Sequence, residues 1–305
     1  ESYDYGHMFF TQADVDAFES AFGASLGARV RAGDVSAAYA VYDRFMTRLA
    51  QRRALVDSLT ASSAAFTARE SIPLEGHKLP WPATDAEMEE RWRLGIKFEL
   101  LRARLDGTKG EDPVKAVTGH YDSLVENYRQ FDADDVLQLF LSALCRAYDP
   151  HTDYFSAPKE DNFNIGMRLS LVGIGAALRS ERGYTSVVNL VPGGPADTDR
   201  RLRPGDKIVG VAQGDGDFVD LVGMKIDRVV ALIRGTEGTV VRLRVVPVDA
   251  VDPSTRVIIP LVRAKIQLRD QEAKAELRWV PGADGRPRPL GVIDIPSFYA
   301  DLRSH

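Results

Sequence analysis

The spacing of apolar residues changes period at Asp149-Pro150-His151-Thr152, and this limits the fold more than any other feature of the chain. Before that point apolar residues recur at three- and four-residue steps, which places them on one face of a helix. After it apolar and polar residues alternate, and glycines and β-branched residues become frequent, the signature of strands joined by tight turns. A helical region is therefore followed by a β region. At 305 residues the chain is also longer than one hydrophobic core usually serves, so the expected class is α+β multidomain.

In the helical region Tyr39, Tyr42, Phe45, Met46, Leu49, Val56 and Leu59 share one side of a long helix starting near Asp34, and that side is expected to be core. Thr84-Asp85-Ala86-Glu87 has capping-box spacing and is followed by Met88, Trp92, Ile96 and Leu100 at i+4 steps. A further helix is expected over 134–148, with Val136, Leu139, Phe140, Ala143, Leu144 and Ala147 as its apolar stripe. Pro80-Trp81-Pro82 cannot be helical and reads as a rigid connector. In the β region the strands expected are 167–171, 174–178, 185–191, 207–211, 240–246 and 256–262. One helix over 225–233 lies among them, with Ile226, Val229, Val230 and Ile233 on its apolar side.

Several function classes are disfavoured. The 39 basic and 44 acidic residues are interleaved and give a net charge of -5, so there is no basic stripe for nucleic acid. His7, His77, His120, His151 and His305 are scattered, so neither a metal site nor a cofactor is expected. Asp149, His151 and Asp153 read as a structured turn around Pro150. Cys145 is the single cysteine; it has no intrachain disulfide partner and is expected to pack as a small hydrophobe. No apolar window is long enough for a transmembrane segment, and the chain opens at Glu1 without a charged-then-apolar leader, so any export signal is expected to have been removed or never present. Gly23-Ala24-Ser25-Leu26-Gly27 matches the pattern of a hydrolase nucleophile elbow, yet its flanks are helical where a strand is required, so the match is read as chance. Gly173-Ile174-Gly175 lacks the third glycine and the following helix of a dinucleotide loop.

The informative stretch begins at Leu171-Val172-Gly173-Ile174-Gly175-Ala176, a glycine-containing loop directly before a strand, whose backbone N–H groups can converge on an anion such as a peptide carboxylate. Pro192-Gly193-Gly194-Pro195-Ala196 then turns into a short helix, Leu202-Arg203-Pro204-Gly205-Asp206 turns into a strand, and Gly235 and Gly238 separate the 225–233 helix from the next strand. In order and spacing these elements resemble a PDZ domain of the bacterial protease type. The resemblance implies that 171–174 is a carboxylate-binding loop, 174–178 the strand to which a peptide adds, and 225–233 the helix closing the groove. The peptide-binding residues it implies are Leu171, Val172, Gly173, Ile174, Gly175, Ala176, Ile226, Val229, Val230 and Ile233.

The flanks narrow the resemblance. Pro80-Trp81-Pro82, Lys97-Phe98, the run from Tyr148 through Asp149-Pro150-His151-Thr152-Asp153 to Tyr154-Phe155-Ser156, and Gly291-Val292-Ile293-Asp294-Ile295-Pro296-Ser297-Phe298-Tyr299 are similar to the long form of the C-terminal processing peptidases, or tail-specific proteases. The domains so implied are a helical N-terminal domain over 1–165, a PDZ domain over 166–265, and an incomplete beginning of a protease core over 266–305. The implied activity is that of a periplasmic or otherwise exported serine endopeptidase recognising nonpolar C-terminal tails, with C-terminal peptides as partners. The family's Ser/Lys dyad matches nothing in this chain, so no residue is assigned to catalysis and the chain alone is expected to be inactive. A non-catalytic PDZ adaptor that only holds peptide C-termini is the alternative. The resemblance also places a helix between the strand ending at Tyr299 and the one containing Arg303, so either a segment is missing between them, the favoured reading, or the ending is unrelated to that strand.

Overall fold

Asp4 organises the start of the chain: its buried carboxylate accepts the N–H groups of Met8, Phe9 and Phe10 at 2.6, 2.7 and 2.9 Å. The computed structural model describes residues 2–61, 66–73, 75–105, 112–181, 183–252, 254–268, 272–281, 286–296 and 298–299. The chain divides into two units, Glu1–Ser156 and Ala157–His305, so the division falls shortly after the change of period.

The first unit holds α1 (Gln12–Phe22), α2 (Leu26–Arg31), α3 (Ser36–Ala61), α4 (Asp85–Leu105), α5 (Pro113–Arg129) and α6 (Ala133–Tyr148). Its packing follows the i+4 spacing: Met88, Trp92, Ile96 and Leu100 on α4 are all buried and meet Val56, Val117 and Tyr121 from α3 and α5. A neighbouring cluster joins Phe10, Phe45 and Leu49. On α3 the expected core face narrows, because Tyr39 is exposed and Tyr42 is half-buried with its hydroxyl donating to the Tyr128 carbonyl at 2.6 Å. A polar clasp ties α1 to α3. Burial pushes the Asp14 carboxyl up, but the Arg44 guanidinium, the Thr11 N–H and Arg48 outweigh it and hold the group below its ordinary range.

Capping is local and legible. At α4 the Thr84 hydroxyl accepts the Glu87 N–H at 3.2 Å, while the Glu87 carboxylate reaches back to Ala83 N–H at 2.9 Å, one residue before the expected partner. At the end of α6, Asp149 accepts from the Thr152 hydroxyl and the His151 N–H, which lower its carboxyl pKa and form the turn expected around Pro150. Cys145 on α6 is half-buried. Ser25, in the hydrolase-like pattern, sits on a 3-10 turn between α1 and α2; its hydroxyl donates to the Phe22 carbonyl and accepts from Arg29 Nε at 2.9 Å.

The second unit opens with α7 (Ala157–Arg168), and then come β1 (Ser170–Gly173), β2 (Ala176–Glu181), β3 (Tyr184–Leu190), α8 (Pro195–Asp199), β4 (Lys207–Gln213), β5 (Val219–Asp220) and α9 (Ile226–Ile233). After these follow β6 (Val240–Val246), β7 (Val257–Val262), β8 (Ala264–Gln267), β9 (Lys274–Pro281) and β10 (Pro287–Asp294). The main sheet is antiparallel with order β2-β3-β4-β6-β7, and β5 pairs with β4. β1 pairs with β8, and β9 with β10.

The strand expected over 167–171 is corrected: helix α7 runs to Arg168, and Leu169 is left-handed at φ 49° with its carbonyl accepting from Leu268 N–H at 2.7 Å. The alternation Met167, Leu169, Leu171 thus spans a helix end, a turn and a strand start. The 291–299 segment is strand only to Asp294. The break expected between Tyr299 and Arg303 lies outside the described residues.

Candidate peptide-binding site

The loop joining β1 to β2 is held from one side. Ile174 and Gly175 carbonyls accept the N–H groups of Ala196 and Val191, each at 2.8 Å, so both point at the turn that enters α8. In a trans peptide the C=O and the next N–H point in opposite directions. The N–H groups of Gly175 and Ala176 therefore point away from that turn. The Val191–Gly175 bond also makes Ala176 and Leu190 a non-hydrogen-bonded pair of the β2–β3 ladder, so the Ala176 N–H faces the open side of β2. β2 is the end strand of the sheet order, and among the described residues no strand pairs with that side.

Gly175 is what permits this arrangement. Its φ is +74°, and a Cβ there would sit 3.2 Å from the backbone Cα of Gly194. At Gly173 the demands are milder, since a Cβ would meet side-chain atoms, Leu171 Cδ1 at 3.2 Å and Arg234 Cγ at 3.8 Å.

The residues read from the sequence separate into three groups. Leu171, Val172 and Gly173 belong to β1, and their backbone is in register with β8, Leu171 opposite Ile266 and Gly173 opposite Ala264. Ile174, Val229 and Ile233 are core residues of the sheet, 3%, 0% and 3% exposed, so they form the floor under the loop and helix. Of the remaining four, Gly175 is buried, and Ala176, Ile226 and Val230 are half-buried. Leu178, the end of the expected 174–178 strand but not among the expected peptide-binding residues, is half-buried and packs on the same core. Its position two residues after Ala176 on a strand was the available signal.

The far end of α9 is fixed by a residue the sequence reading also passed over. Arg263, 3% exposed, donates from Nε to the Ile233 carbonyl at 2.8 Å and from Nη2 to the Leu232 carbonyl at 3.2 Å, capping the last turn. Its remaining donors reach Thr239 Oγ1 at 2.9 Å and Gln213 Oε1 at 2.6 Å. Gly235 makes room for it, because a Cβ there would lie 2.9 Å from Arg263 Nε. The turn before β4 is set by buried Asp206, whose carboxylate accepts Arg203 and Val248 N–H at 2.8 and 2.9 Å.

Chemically, this arrangement offers an unpaired strand edge, two outward N–H groups at its start, and an apolar helix face beside it. Among the described residues no group of histidines, cysteines and carboxylates is placed to hold a metal ion. No helix among them is long and apolar enough to cross a membrane.

The sequence matches the family described as the tail specific protease N-terminal domain over residues 1–158, and the PDZ domain over residues 161–246. Over 299 residues the chain is 36% identical to the tail-specific protease of Haemophilus influenzae, an alignment covering 98% of this chain and 42% of that protein. To the carboxy-terminal processing protease CtpA of Bacillus subtilis it is 30% identical over 117 residues, 38% of this chain and 24% of that one. Among solved structures, it is 45% identical to the PDZ domain of the carboxy-terminal protease from Vibrio cholerae, determined in complex with a peptide. That match covers 33% of this chain and 100% of the solved one, with a TM-score of 0.31. The chain thus spans less than half the length of these two curated relatives.

Proposed function

This chain belongs to the tail-specific protease family, and on that premise we propose that its β unit captures the nonpolar C-terminal tail of a protein substrate for a serine endopeptidase. The observation that carries the reading is the open edge of β2, beginning at the outward N–H groups of Gly175 and Ala176 and lying beside α9. An extended tail adds there as a further strand, its main chain supplying affinity and its last apolar side chain entering between strand and helix. The tail's carboxylate meets the two N–H groups, which form a small concavity of positive partial charge.

Within the complete enzyme, cutting falls to a Ser/Lys pair outside this chain. The serine attacks the scissile carbonyl, a neutral lysine takes its proton, and backbone amides hold the oxyanion. Burial has to lower that lysine's pKa for neutral amine to exist near neutral pH. We read the enzyme as exported and periplasmic, with three domains over 1–165, 166–265 and 266–305 that suit this division of labour.

The experiment is amide hydrogen exchange on the isotopically labelled chain, with and without a synthetic decapeptide ending in valine. The peptide is expected to slow exchange at Gly175 and Ala176, to leave the β3-facing amides of β2 unchanged, and to remain intact by mass spectrometry. Protection that bypasses β2 would remove the strand-addition reading. Cleavage surviving rigorous purification would place catalysis within the chain.

A further inference from the structure

We propose that Arg234, at the C-terminal end of α9, is the specificity-determining cation that reads the free carboxylate of a bound tail. This rests on the reading of the β unit as a C-terminal peptide site and goes beyond it, because backbone N–H groups alone need not separate a carboxylate from a neutral amide.

The Arg234 side chain packs against the last residue of β1, its Cγ 3.8 Å from where a Cβ on Gly173 would stand. The end of β1, one residue before the loop, and the end of α9 therefore meet at this residue. A helix C-terminus carries negative partial charge, so an anion beside it is repelled unless a cation intervenes. Two arginines stand at this end. Arg263 is fully committed, with donors on Ile233, Leu232, Thr239 and Gln213. Arg234 is not. Among the described residues its guanidinium makes one hydrogen bond, from Nη1 to the neutral Asn162 Oδ1 at 3.0 Å, leaving Nε and Nη2 without an acceptor.

The surroundings favour a strong response to an incoming anion. Arg234 is half-buried and lines a cavity of about 170 Å³ with Asp161, Asn164, Ile165, Arg168 and Ser170, so a carboxylate or the water it carries has room to approach, with Asp161 the one acidic group on its wall. Burial pulls its guanidinium below the usual arginine range against the opposing influence of Asp161 and Asp227, so its charge is incompletely compensated where it stands. Arginine at such a place can bind a carboxylate through two parallel N–H groups, which a lysine cannot reproduce. The i+4 step from Ile226 to Val230 to Arg234 puts apolar wall and cation on one helix face, in the order that a tail with an apolar last side chain and a terminal charge requires.

The test is a binding comparison on the whole chain, using the valine-ended decapeptide as free acid and as C-terminal amide, against wild type, Arg234→Gln and Arg234→Lys. Wild type is expected to prefer the acid by about tenfold, the scale of one charge-assisted hydrogen bond. In Arg234→Gln that preference is expected to shrink to within about twofold while amide affinity is unchanged, and Arg234→Lys should keep an intermediate preference. The amide arm doubles as a folding control. If Arg234→Gln keeps the full preference, the assignment to Arg234 is wrong although carboxylate reading by the loop stands. If it weakens acid and amide equally, Arg234 shapes the groove and reads no charge, which also overturns the assignment. A wild type without any preference would instead remove the underlying carboxylate reading.

Discussion

Trp92→Ala is expected to lower the midpoint of thermal unfolding of the helical unit by about 10 °C or more, followed by far-UV circular dichroism. Trp92 is 1% exposed and stands at the centre of the cluster that joins α3, α4 and α5, with Met88 and Ile96 one turn away on either side. Truncating a buried aromatic to alanine removes transfer free energy and leaves a cavity that neighbours fill only in part, about 3–5 kcal/mol in total. The indole Nε1 also donates to the Met8 carbonyl, so the loss releases the N-terminal segment that Asp4 holds in place. Trp92→Phe keeps most of the volume but not the donor, and should cost about 1–3 kcal/mol for the orphaned carbonyl and the smaller ring. A midpoint unchanged by the alanine substitution would mean that α3, α4 and α5 do not share one core.

Gly175→Val is expected to abolish measurable peptide binding and to destabilise the β unit by about 2–4 kcal/mol, combining a left-handed backbone at a β-branched residue with a clash. Both causes act on the same atom. The φ of +74° disfavours any L side chain, and the added Cβ meets the Gly194 Cα at 3.2 Å, a backbone atom anchored by the Gly194 N–H to Val191 carbonyl bond. Relief requires the loop to swing away from the α8 turn, which turns the Gly175 and Ala176 N–H groups out of line. Gly173→Val provides the comparison. Its Cβ would meet only side-chain atoms of Leu171 and Arg234, which can rotate, so binding should weaken by about tenfold or less. Calorimetric titration of both variants with the same peptide, alongside their unfolding curves, separates the two. Equal effects at the two glycines would show that neither the left-handed loop nor the Gly194 approach matters.

How much of this was legible beforehand depends on the physics of each element. Met88, Trp92, Ile96 and Leu100 were readable because one helix face carries all four and all four are buried. Helix α5 was overlooked although Asp112 caps it and Pro113 opens it, because its buried residues reduce to Val117 and Tyr121. Strands β9 and β10 gave little signal, since almost every residue is exposed and Pro287 and Pro289 are unusual in a strand. At the site, glycine spacing pointed to the loop and apolar spacing to α9. Sequence could not say that Val229 and Ile233 are core residues while Ile226 and Val230 are only half-buried, because that depends on the rotation of a short helix on its sheet. Nor could it identify Arg263 or Arg234, whose roles come from carbonyls and a loop distant in sequence.

Recognition of a free C-terminus is the property that defines this site. Fluorescence anisotropy on the whole chain, titrated with one apolar-tailed peptide as free acid and as C-terminal amide, tests this most directly. The acid is expected to bind with a micromolar dissociation constant, near about -8 kcal/mol after the ordering of a short peptide is offset. The amide should bind about tenfold more weakly, having lost the charge that the loop receives. Equal affinity for the two would contradict the account, even if the open edge of β2 still accepted both as an added strand.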